Sequence, residues 1–354
     1  MKKHMKKIKF SKPIAAFVSD SIWPYNTGGK EKRLFDITQK LVKSNHNVHI
    51  YTMKWWRGSA IKRENGYTLH AISKLYPLYS GSRRSIKEAL FFGLACFKLL
   101  NEKWNSIDVD QMPFFPVYSV KLVCLFKGKS MSATWHEVWG KKYWQNYLGL
   151  SGILAYWIEK FSVRLPNQII SVSTLTTKRL TTLFGSKNVI TIPDKVDTTH
   201  IQSISPSDQK SDIIYAGRLL AHKNVDLLIK SLAILKIEFP QIKCLIIGNG
   251  PEKNYLQKLA DNYKLSGNII FQNFLDNQNE LYSLIKASRV FVLPSTREGY
   301  GIVAAEALAC GTPVVTTNHP DNAAKELVTE GSNGYLSNMT EQDLAKKIGL
   351  AFSL

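Results

Sequence analysis

Two glutamates eight positions apart, Glu298 and Glu306, stand in the stretch REGYGIVAAEALACGTPVVTT at residues 297–317. The first lies in a polar turn, and the second lies in an apolar run that predicts a buried helix ending at Gly311. A buried carboxylate is costly unless polar groups pair with it. Because carboxylates accept hydrogen bonds from vicinal hydroxyls, the pattern indicates a carbohydrate site, in which a ribose diol or a polar neighbour satisfies Glu306.

The start of the same helix can hold a phosphate. The first backbone amides of a helix have no acceptor within the helix, and they attract anions. The sequence places Tyr300, Gly301 and Ile302 at this point. We therefore expect these three residues to bind phosphate oxygens.

Two cations follow an earlier candidate strand, in the stretch YAGRLLAHKNVDLLI at residues 215–229. The strand ends at Gly217, Arg218 comes next, and Lys223 precedes a helix. A planar guanidinium and an ammonium both suit phosphate oxygens, so the pair predicts a diphosphate site. A solvated surface pair would have the same spacing. Gly250, which closes the next strand, is compatible either with a nucleotide lying against the turn or with close packing.

The first half contributes two further candidates. Gly28 and Gly29 lead into a helix in SDSIWPYNTGGKEKRLFDITQKL (19–41), where exposed amides can receive a phosphate or diphosphate. The stretch lacks the GxGxxG fingerprint, which disfavours a nicotinamide dinucleotide. His136 follows a strand in TWHEVWG (134–140). It is either a hydrogen-bonded structural histidine or a residue facing a ligand, and its position after a strand favours the second interpretation.

Short β-branched runs alternate with helical patterns along the whole chain, and this alternation predicts parallel sheets covered by helices. The expected fold class is α/β, with two doubly wound Rossmann-like domains that face each other across a cleft. The predicted domains are residues 1–198 and 212–354, joined by a polar linker at 199–211. The predicted strands are residues 14–20, 47–52, 67–72, 107–112, 130–137, 168–173, 188–193, 212–218, 243–250, 268–274, 289–295 and 312–317.

Taken together, the motifs of the second half resemble the donor-binding domain of retaining GT-B glycosyltransferases, the group called family 4 or group 1. The resemblance is carried by the spacing from Glu298 to Glu306, and by Gly217 and Arg218 followed by Lys223. It covers residues 212–317 closely and the first half more loosely.

The resemblance implies transfer of a sugar from a UDP- or GDP-sugar to a glycan or lipid-linked glycan, with retention of anomeric configuration and without a metal or cofactor. It implies that Arg218 and Lys223 hold the leaving diphosphate. It assigns Glu298 to hydroxyls of the donor sugar and Glu306 to the ribose.

For the first half, the resemblance implies that Gly28 and Gly29 lie by the donor phosphates and the acceptor. It implies that His136 contacts the donor sugar.

The charge distribution indicates an anionic partner for the first half. Residues 1–165 hold 28 Lys and Arg against 10 Asp and Glu, a balance of +18, whereas residues 166–354 hold 19 against 17, or +2. A membrane surface or a phosphorylated lipid fits this balance. Nucleic acid is disfavoured because no reading motif accompanies the charge.

Two apolar stretches, residues 89–100 and 148–161, are too short to span a membrane. They predict either core helices or helices that dock on lipid.

Localisation is expected to be cytoplasmic, with peripheral contact at the cytoplasmic face of the membrane. The four cysteines lie in apolar contexts that suit reduced thiols. The apolar run at residues 13–18 is too short for a secretory signal. Two alternative functions stay open, a nucleotide-sugar epimerase and a basic nucleic-acid-binding protein, while an oxidoreductase is disfavoured by its missing fingerprint.

Overall fold

The computed structural model describes residues 12–80, 83–275 and 277–354, and the chain divides into two compact units. The first unit runs to Ser171 and also contains Thr177–Thr191. The second contains Val172–Thr176 and Ile192–Leu354. Residues 199–211, which the sequence predicts to be a linker, lie within the second unit and include part of a short helix at Thr198–Ser203.

The first unit is built on an eight-stranded sheet that is parallel except for its third strand in chain order. A two-stranded antiparallel ribbon, β5 and β6, accompanies the sheet. The strands are β1 (Ile14–Val18), β2 (Asn47–Met53), β3 (Ile61–Glu64), β4 (Tyr67–Ser73), β5 (Tyr79–Ser80), β6 (Arg83–Arg84), β7 (Ser106–Asp110), β8 (Ser132–Trp135), β9 (Gln168–Ser171) and β10 (Val189–Thr191). The helices are α1 (Gly29–Lys43), α2 (Ile86–Ala95), α3 (Phe115–Phe126), α4 (Gly140–Leu148), α5 (Gly152–Ser162) and α6 (Thr174–Phe184).

The order of strands in this sheet is β10-β9-β8-β7-β1-β2-β4-β3. The chain passes through α1 from β1 to β2 in one direction, and through α2 to α6 from β4 to β10 in the other. Because parallel crossovers are right-handed, α1 covers one face of the sheet and α2 to α6 cover the opposite face. A ligand site is therefore expected where the direction reverses, at the carboxyl ends of β1 and β7.

The core of the first unit is rich in aromatic residues. Its larger cluster, on the side of α2 to α6, includes the fully buried Trp104 and Trp135, and a smaller cluster lies under Leu34 of α1. All eight tryptophans of the chain belong to this unit.

The second unit contains a six-stranded sheet that is parallel throughout, in the order β13-β12-β11-β14-β15-β16. Its strands are β11 (Ser211–Ala216), β12 (Cys244–Ile247), β13 (Ile269–Gln272), β14 (Ser288–Leu293), β15 (Val314–Thr317) and β16 (Gly334–Ser337). Its helices are α7 (Thr198–Ser203), α8 (Val225–Glu238), α9 (Lys253–Asn262), α10 (Gln278–Lys286), α11 (Ile302–Ala309) and α12 (Glu341–Ala351). The four central strands are almost wholly buried, as expected for a parallel sheet with helices on both faces.

The predicted fold class of two doubly wound α/β domains is confirmed for each unit. Every predicted strand is present, with ends that differ by a few residues. Among the described residues, four strands were not predicted, namely β3, β5, β6 and β16. Within the described part of the chain, every helix is too short or too polar to cross a bilayer.

Candidate functional site

The direction of the second sheet reverses between β11 and β14, so the carboxyl ends of these two strands form its expected ligand site. Gly217 and Arg218 follow β11, and Glu298 lies in the turn that follows β14. The sequence-predicted cations and the first glutamate therefore meet at one edge of one sheet.

Lys223 and Glu298 form an ion pair at this edge. The Lys223 Nζ donates to Glu298 Oε1 at 2.6 Å, and both side chains are largely buried. Lys223 ends a 3-10 turn that begins at Ala221 and leads into α8. The turn and the loop after β14 thus bring together two charges that are 75 residues apart in the chain.

Arg218 lies in the same group of charges. The hydroxyl of the buried Tyr215 donates to the Arg218 carbonyl oxygen at 3.0 Å. Burial raises the pKa of Tyr215, and the nearby Glu298 carboxylate raises it further, whereas the Arg218 charge lowers it. Tyr215 is therefore close enough to both charged side chains to be influenced by each.

His222 shows how densely the cations are gathered. Burial and, after it, the positive charges of Lys223, Arg297 and Arg218 lower the pKa of His222 to about 2. The ring is neutral at physiological pH, so it adds no fourth positive charge. Three cations beside one carboxylate give this edge the electrostatic character that a diphosphate requires.

A network of hydrogen bonds to backbone carbonyls holds the two loops together. The Asn224 side chain, at a left-handed backbone position (φ 48°), donates to the carbonyls of His222 and Pro294 at 3.1 and 3.2 Å. The Thr296 amide donates to the His222 carbonyl at 3.0 Å. These bonds fix Lys223 relative to the loop that carries Glu298.

Glu306 lies in α11 and is buried, as predicted. Its Oε1 accepts hydrogen bonds from Gln278 Nε2 and from the Tyr282 hydroxyl, each at 2.8 Å. Sequence analysis left two explanations for this buried carboxylate, a ribose diol or a polar neighbour, and the structure shows that polar neighbours are present. Contact with a ribose stays a prediction.

The start of α11 lies where the sequence predicted it. The helix begins at Ile302, after Tyr300 and the N-cap Gly301. Gly301 is left-handed, with φ 87°, and a Cβ there would lie 2.5 Å from the Cβ of Ala324. Both constraints require glycine, and the first amides of α11 point away from their own helix.

Gly250 has a packing explanation. A Cβ at this position would lie 2.2 Å from the carbonyl oxygen of Leu219, and the Leu219 amide donates to the Asn249 carbonyl at 2.9 Å. The close approach of these two loops requires a glycine at 250, whatever else the turn contacts.

In the first unit, Asp20 follows β1 and Asp110 ends β7, on either side of the point where strand direction reverses. Asp20 is completely buried and pairs with Lys30 of α1 and with Arg84, whose Nη2 donates to Oδ2 at 2.5 Å. Burial alone would raise the pKa of Asp20, but the charges of Lys30 and Arg84 outweigh it and hold the pKa below its usual range.

His136 joins this cluster. Its Nε2 lies 3.0 Å from Asp110 Oδ1, and its backbone amide donates to Gln111 Oε1 at 2.5 Å. Lys30 Nζ is 3.8 Å from the other Asp110 oxygen. The histidine is therefore held by a carboxylate at a sheet edge, which fits both a structural role and a ligand-facing role.

Gly28 and Gly29 form the start of α1, as predicted. A Cβ on Gly28 would lie 2.5 Å from Glu31 Oε2, so a side chain there would displace the carboxylate of Glu31. Glu31 Oε1 itself accepts from the Ser21 hydroxyl and from Asn26 Nδ2, at 2.5 and 2.9 Å. The glycine loop is thus tied to the segment that carries Asp20.

Comparison with protein families matches almost the whole chain in two parts. Residues 196–353 match the family of glycosyl transferases group 1, and residues 27–200 match glycosyltransferase family 4. The chain belongs to the group 1 and family 4 glycosyltransferases. The family that the sequence motifs indicated is confirmed.

This glycosyltransferase has a curated relative in Schizosaccharomyces pombe, the gpi3 subunit of phosphatidylinositol N-acetylglucosaminyltransferase. The two are 23% identical over 308 residues, which is 85% of this chain and 65% of the relative. The chain thus spans a little less than two-thirds of that protein.

Solved structures show the same GT-B fold. A sucrose-phosphate synthase from Thermosynechococcus elongatus has a TM-score of 0.78 at 18% identity, covering 97% of this chain and 90% of that one. HepE from Anabaena, solved in complex with UDP and glucose, has a TM-score of 0.68 at 18% identity, covering 95% and 89%.

Two site features of this glycosyltransferase escaped the sequence analysis. The buried Asn322 donates to the Thr317 carbonyl at 2.9 Å, and the residues on either side of it bond to the backbone of Glu298. A loop asparagine resembles any turn residue in sequence, so no pattern singled it out.

Glu88 of α2 is the second such feature. It is completely buried, and neither carboxyl oxygen has a hydrogen-bond partner in the described structure. Burial, and then the negative charge of Asp20, raise the pKa of Glu88 to about 8. The pattern of α2 is otherwise apolar, and a single glutamate near its start resembles an ordinary first-turn acid.

Proposed function

We propose that this protein transfers a sugar from a nucleotide diphosphate donor, UDP- or GDP-linked, to a glycan or lipid-linked glycan, with retention of anomeric configuration. The observation that carries the proposal is the Lys223–Glu298 ion pair beside Arg218, at the carboxyl ends of β11 and β14. It brings groups suited to phosphate and groups suited to sugar hydroxyls within one side-chain length of each other.

In this proposal, Arg218, Lys223 and the first amides of α11 stabilise the charge that develops on the leaving diphosphate. Preorganised donors of this kind are typically worth roughly 3 to 4 kcal/mol of barrier each. Before the donor binds, Glu298 holds Lys223 in position. When the donor binds, Lys223 turns to the phosphate and Glu298 accepts hydrogen bonds from the sugar.

Glu306 would accept from the ribose, with Gln278 and Tyr282 holding its carboxylate in place. The proposed roles of His136, Gly28 and Gly29 toward the donor sugar and phosphates rest on the family resemblance. Asp110 would keep the imidazole oriented through its contact with Nε2.

Retention would follow if the acceptor hydroxyl attacks from the face that the phosphate leaves. The departing phosphate oxygen then takes the proton of that hydroxyl, so the new glycosidic bond forms as the old bond to phosphate breaks. This route needs no metal and no covalent enzyme intermediate.

Two comparisons support the donor and acceptor classes. HepE, which has a similar fold, was solved with UDP and glucose. The yeast relative is a subunit of a phosphatidylinositol N-acetylglucosaminyltransferase, which supports a lipid acceptor. The +18 balance of residues 1–165 agrees with work at an anionic, cytoplasmic membrane face. Among the described residues, no feature favours the epimerase or the nucleic-acid alternative.

A thermal-shift panel with UDP, GDP and ADP tests the donor site. We expect one nucleotide to raise the melting temperature of the wild type, and Arg218→Ala to abolish the shift. The matched control is Lys243→Ala, which removes an exposed cation just before β12, at the opposite edge of the same sheet.

With the matching sugar nucleotide, Arg218→Ala should lower turnover about 100- to 1,000-fold, whereas Lys243→Ala should leave it unchanged. A folded Arg218→Ala protein with normal turnover would refute the assignment.

A further inference from the structure

Helix α5 presents an apolar stripe to solvent. The stripe consists of Leu150, in the 3-10 turn (Gly149–Ser151) that leads into α5, and of Ile153, Leu154, Trp157 and Phe161 in α5 itself. All five are exposed, and Leu150 and Leu154 are 91% and 67% exposed. Their spacing of three or four residues places them on one side of the helix. Exposed leucines occur singly on most proteins, but a periodic stripe with two aromatic residues marks an interaction surface.

Glu159 fixes which side of α5 faces outward. This completely buried carboxylate accepts hydrogen bonds from the amides of Trp139 and Gly140 at 2.8 and 2.9 Å, and from Trp144 Nε1 at 2.8 Å. Three bonds to the start of α4 hold the polar side of α5 inward. The stripe therefore cannot turn into the core without breaking them.

The rim of the stripe is basic. Lys160 Nζ lies 4.8 Å from the centre of the Trp157 ring, and the Arg164 guanidinium lies 5.9 Å from that of Phe161. Lys141 and Lys142 are exposed on the neighbouring α4. The only acidic residue of α5 is the buried Glu159, so the helix shows no negative side chain to solvent.

Other helices on the same face of the sheet also expose large apolar side chains. The Tyr118 hydroxyl of α3 donates to the Ile158 carbonyl of α5 at 2.6 Å, which places these helices side by side. α2 and α3 expose further large side chains, among them Leu94, Leu125 and Phe126.

We propose that the stripe on α5 docks on the surface of an anionic lipid bilayer, with Trp157 at the level of the headgroups and the flanking lysines on the lipid phosphates. An amphipathic helix with an apolar stripe, aromatic residues and a basic rim suits the plane of a membrane interface. The charge decides against a second copy of this chain, because two basic rims facing each other would repel. The inference deepens the proposed function. It rests on that function in one respect, namely that docking on the bilayer would bring the protein to a lipid-linked acceptor.

Flotation of the full chain tests the proposal, with vesicles of phosphatidylcholine alone and of equal parts phosphatidylcholine and phosphatidylglycerol. We expect the wild type to bind the mixed vesicles. Leu150→Asp/Leu154→Asp should weaken this binding more than about tenfold, because it places charge in the buried part of the interface. The matched control is Ile237→Asp, which alters an 84% exposed side chain on α8 of the second unit and should bind as the wild type does.

The charge part of the proposal has its own variant. Lys141→Gln/Lys142→Gln should lower binding to the mixed vesicles by about fivefold per lysine removed, and should not alter binding to phosphatidylcholine. A blue shift of tryptophan emission on adding mixed vesicles, absent in Trp157→Phe, would place the indole at the interface.

The proposal is overturned if the wild type stays unbound with both vesicle types, or if the Leu150→Asp/Leu154→Asp protein floats as well as the wild type. It is also overturned if light scattering shows a dimer that the same variant abolishes while vesicles do not bind. The nucleotide-induced thermal shift, measured on each variant, reports whether the fold and the proposed donor site are intact. A docking failure is thereby distinguished from a failure of the proposed function.

Discussion

Glu306 illustrates what a single residue reveals in sequence and what it conceals. A glutamate inside the apolar α11 predicts polar partners, because a buried carboxylate without them is costly. The partners, Gln278 and Tyr282, lie on α10, 24 to 28 residues earlier in the chain. The sequence therefore poses the requirement correctly, while the identity of the partners depends on how α10 packs against α11.

Glu88 leads to a prediction about pH. Its pKa of about 8 in the folded protein exceeds the ordinary value near 4.5, so between those pH values the folded state binds a proton that the unfolded state does not. The contribution of Glu88 to the free energy of unfolding is therefore fully present below pH 4.5, and it is lost as pH rises from there toward 8. We expect Glu88→Gln to raise the melting temperature relative to wild type, by an amount that grows from pH 5 to pH 8.

Circular dichroism melts at several pH values measure this difference. Glu280→Gln, which replaces an exposed carboxyl in the first turn of α10, is the control and should show no such growth. A wild-type curve that stays parallel to that of Glu88→Gln across the range would contradict the assignment.

At the scale of elements, the strands that the sequence predicted are those with β-branched and apolar runs bounded by turn residues. Such runs are typical of buried parallel strands. β3 was not predicted because three of the four residues in its sequence, IKRE, are charged, and its pairing with β4 decides its structure. β16 escaped because GYLS is too short and mixed in character to stand out.

The apolar stretches 89–100 and 148–161 were predicted to be either core helices or lipid-facing helices. The structure shows that the two interpretations are compatible: each helix buries one side, as at Phe92 and Glu159, and exposes the other, as at Leu94 and Trp157. Composition alone could not separate the two sides, because the exposed side of each helix carries large apolar residues and the buried side of each carries a glutamate.

The loop that Gly250 forms yields a prediction about stability. An alanine Cβ would meet the Leu219 carbonyl at 2.2 Å, and a backbone atom cannot move aside as a flexible side chain can. We expect Gly250→Ala to lower the free energy of unfolding by roughly 1 to 3 kcal/mol, the usual cost of overpacking. Urea unfolding curves measure the change.

The control for this element is Gly267→Ala. No atom lies within 4 Å of a Cβ at Gly267, so the substitution should leave the urea midpoint unchanged or raise it slightly. If both variants unfold at the same urea concentration, the close contact with Leu219 has no energetic weight.

At the scale of the whole molecule, the chain consists of two units that each bury a separate core. The division of charge follows the same plan, with +18 in residues 1–165 and +2 in the rest. Both features can be obtained from the sequence. The alternation of strand and helix patterns predicts two α/β units, and the charge of each half follows from counting its residues. The sequence was insufficient for the exact membership of each unit, since Val172–Thr176 cluster with the second unit through contacts distant in sequence.

The confinement of all eight tryptophans to the first unit has an optical consequence. Indole emission follows the melting of one half of the molecule, whereas far-ultraviolet dichroism follows both halves. A nucleotide held by Arg218, Lys223 and Glu306 should stabilise the second half by about 2.7 kcal/mol at a concentration 100 times its dissociation constant. We expect UDP or its matching counterpart to move the dichroism curve to higher temperature and separate it from the emission curve, and two curves that shift in step would contradict this. Tryptophan emission thus reports on the first unit, which does not contain Arg218 and Lys223. Melting of the second unit can be obtained by comparing the dichroism curve with the emission curve.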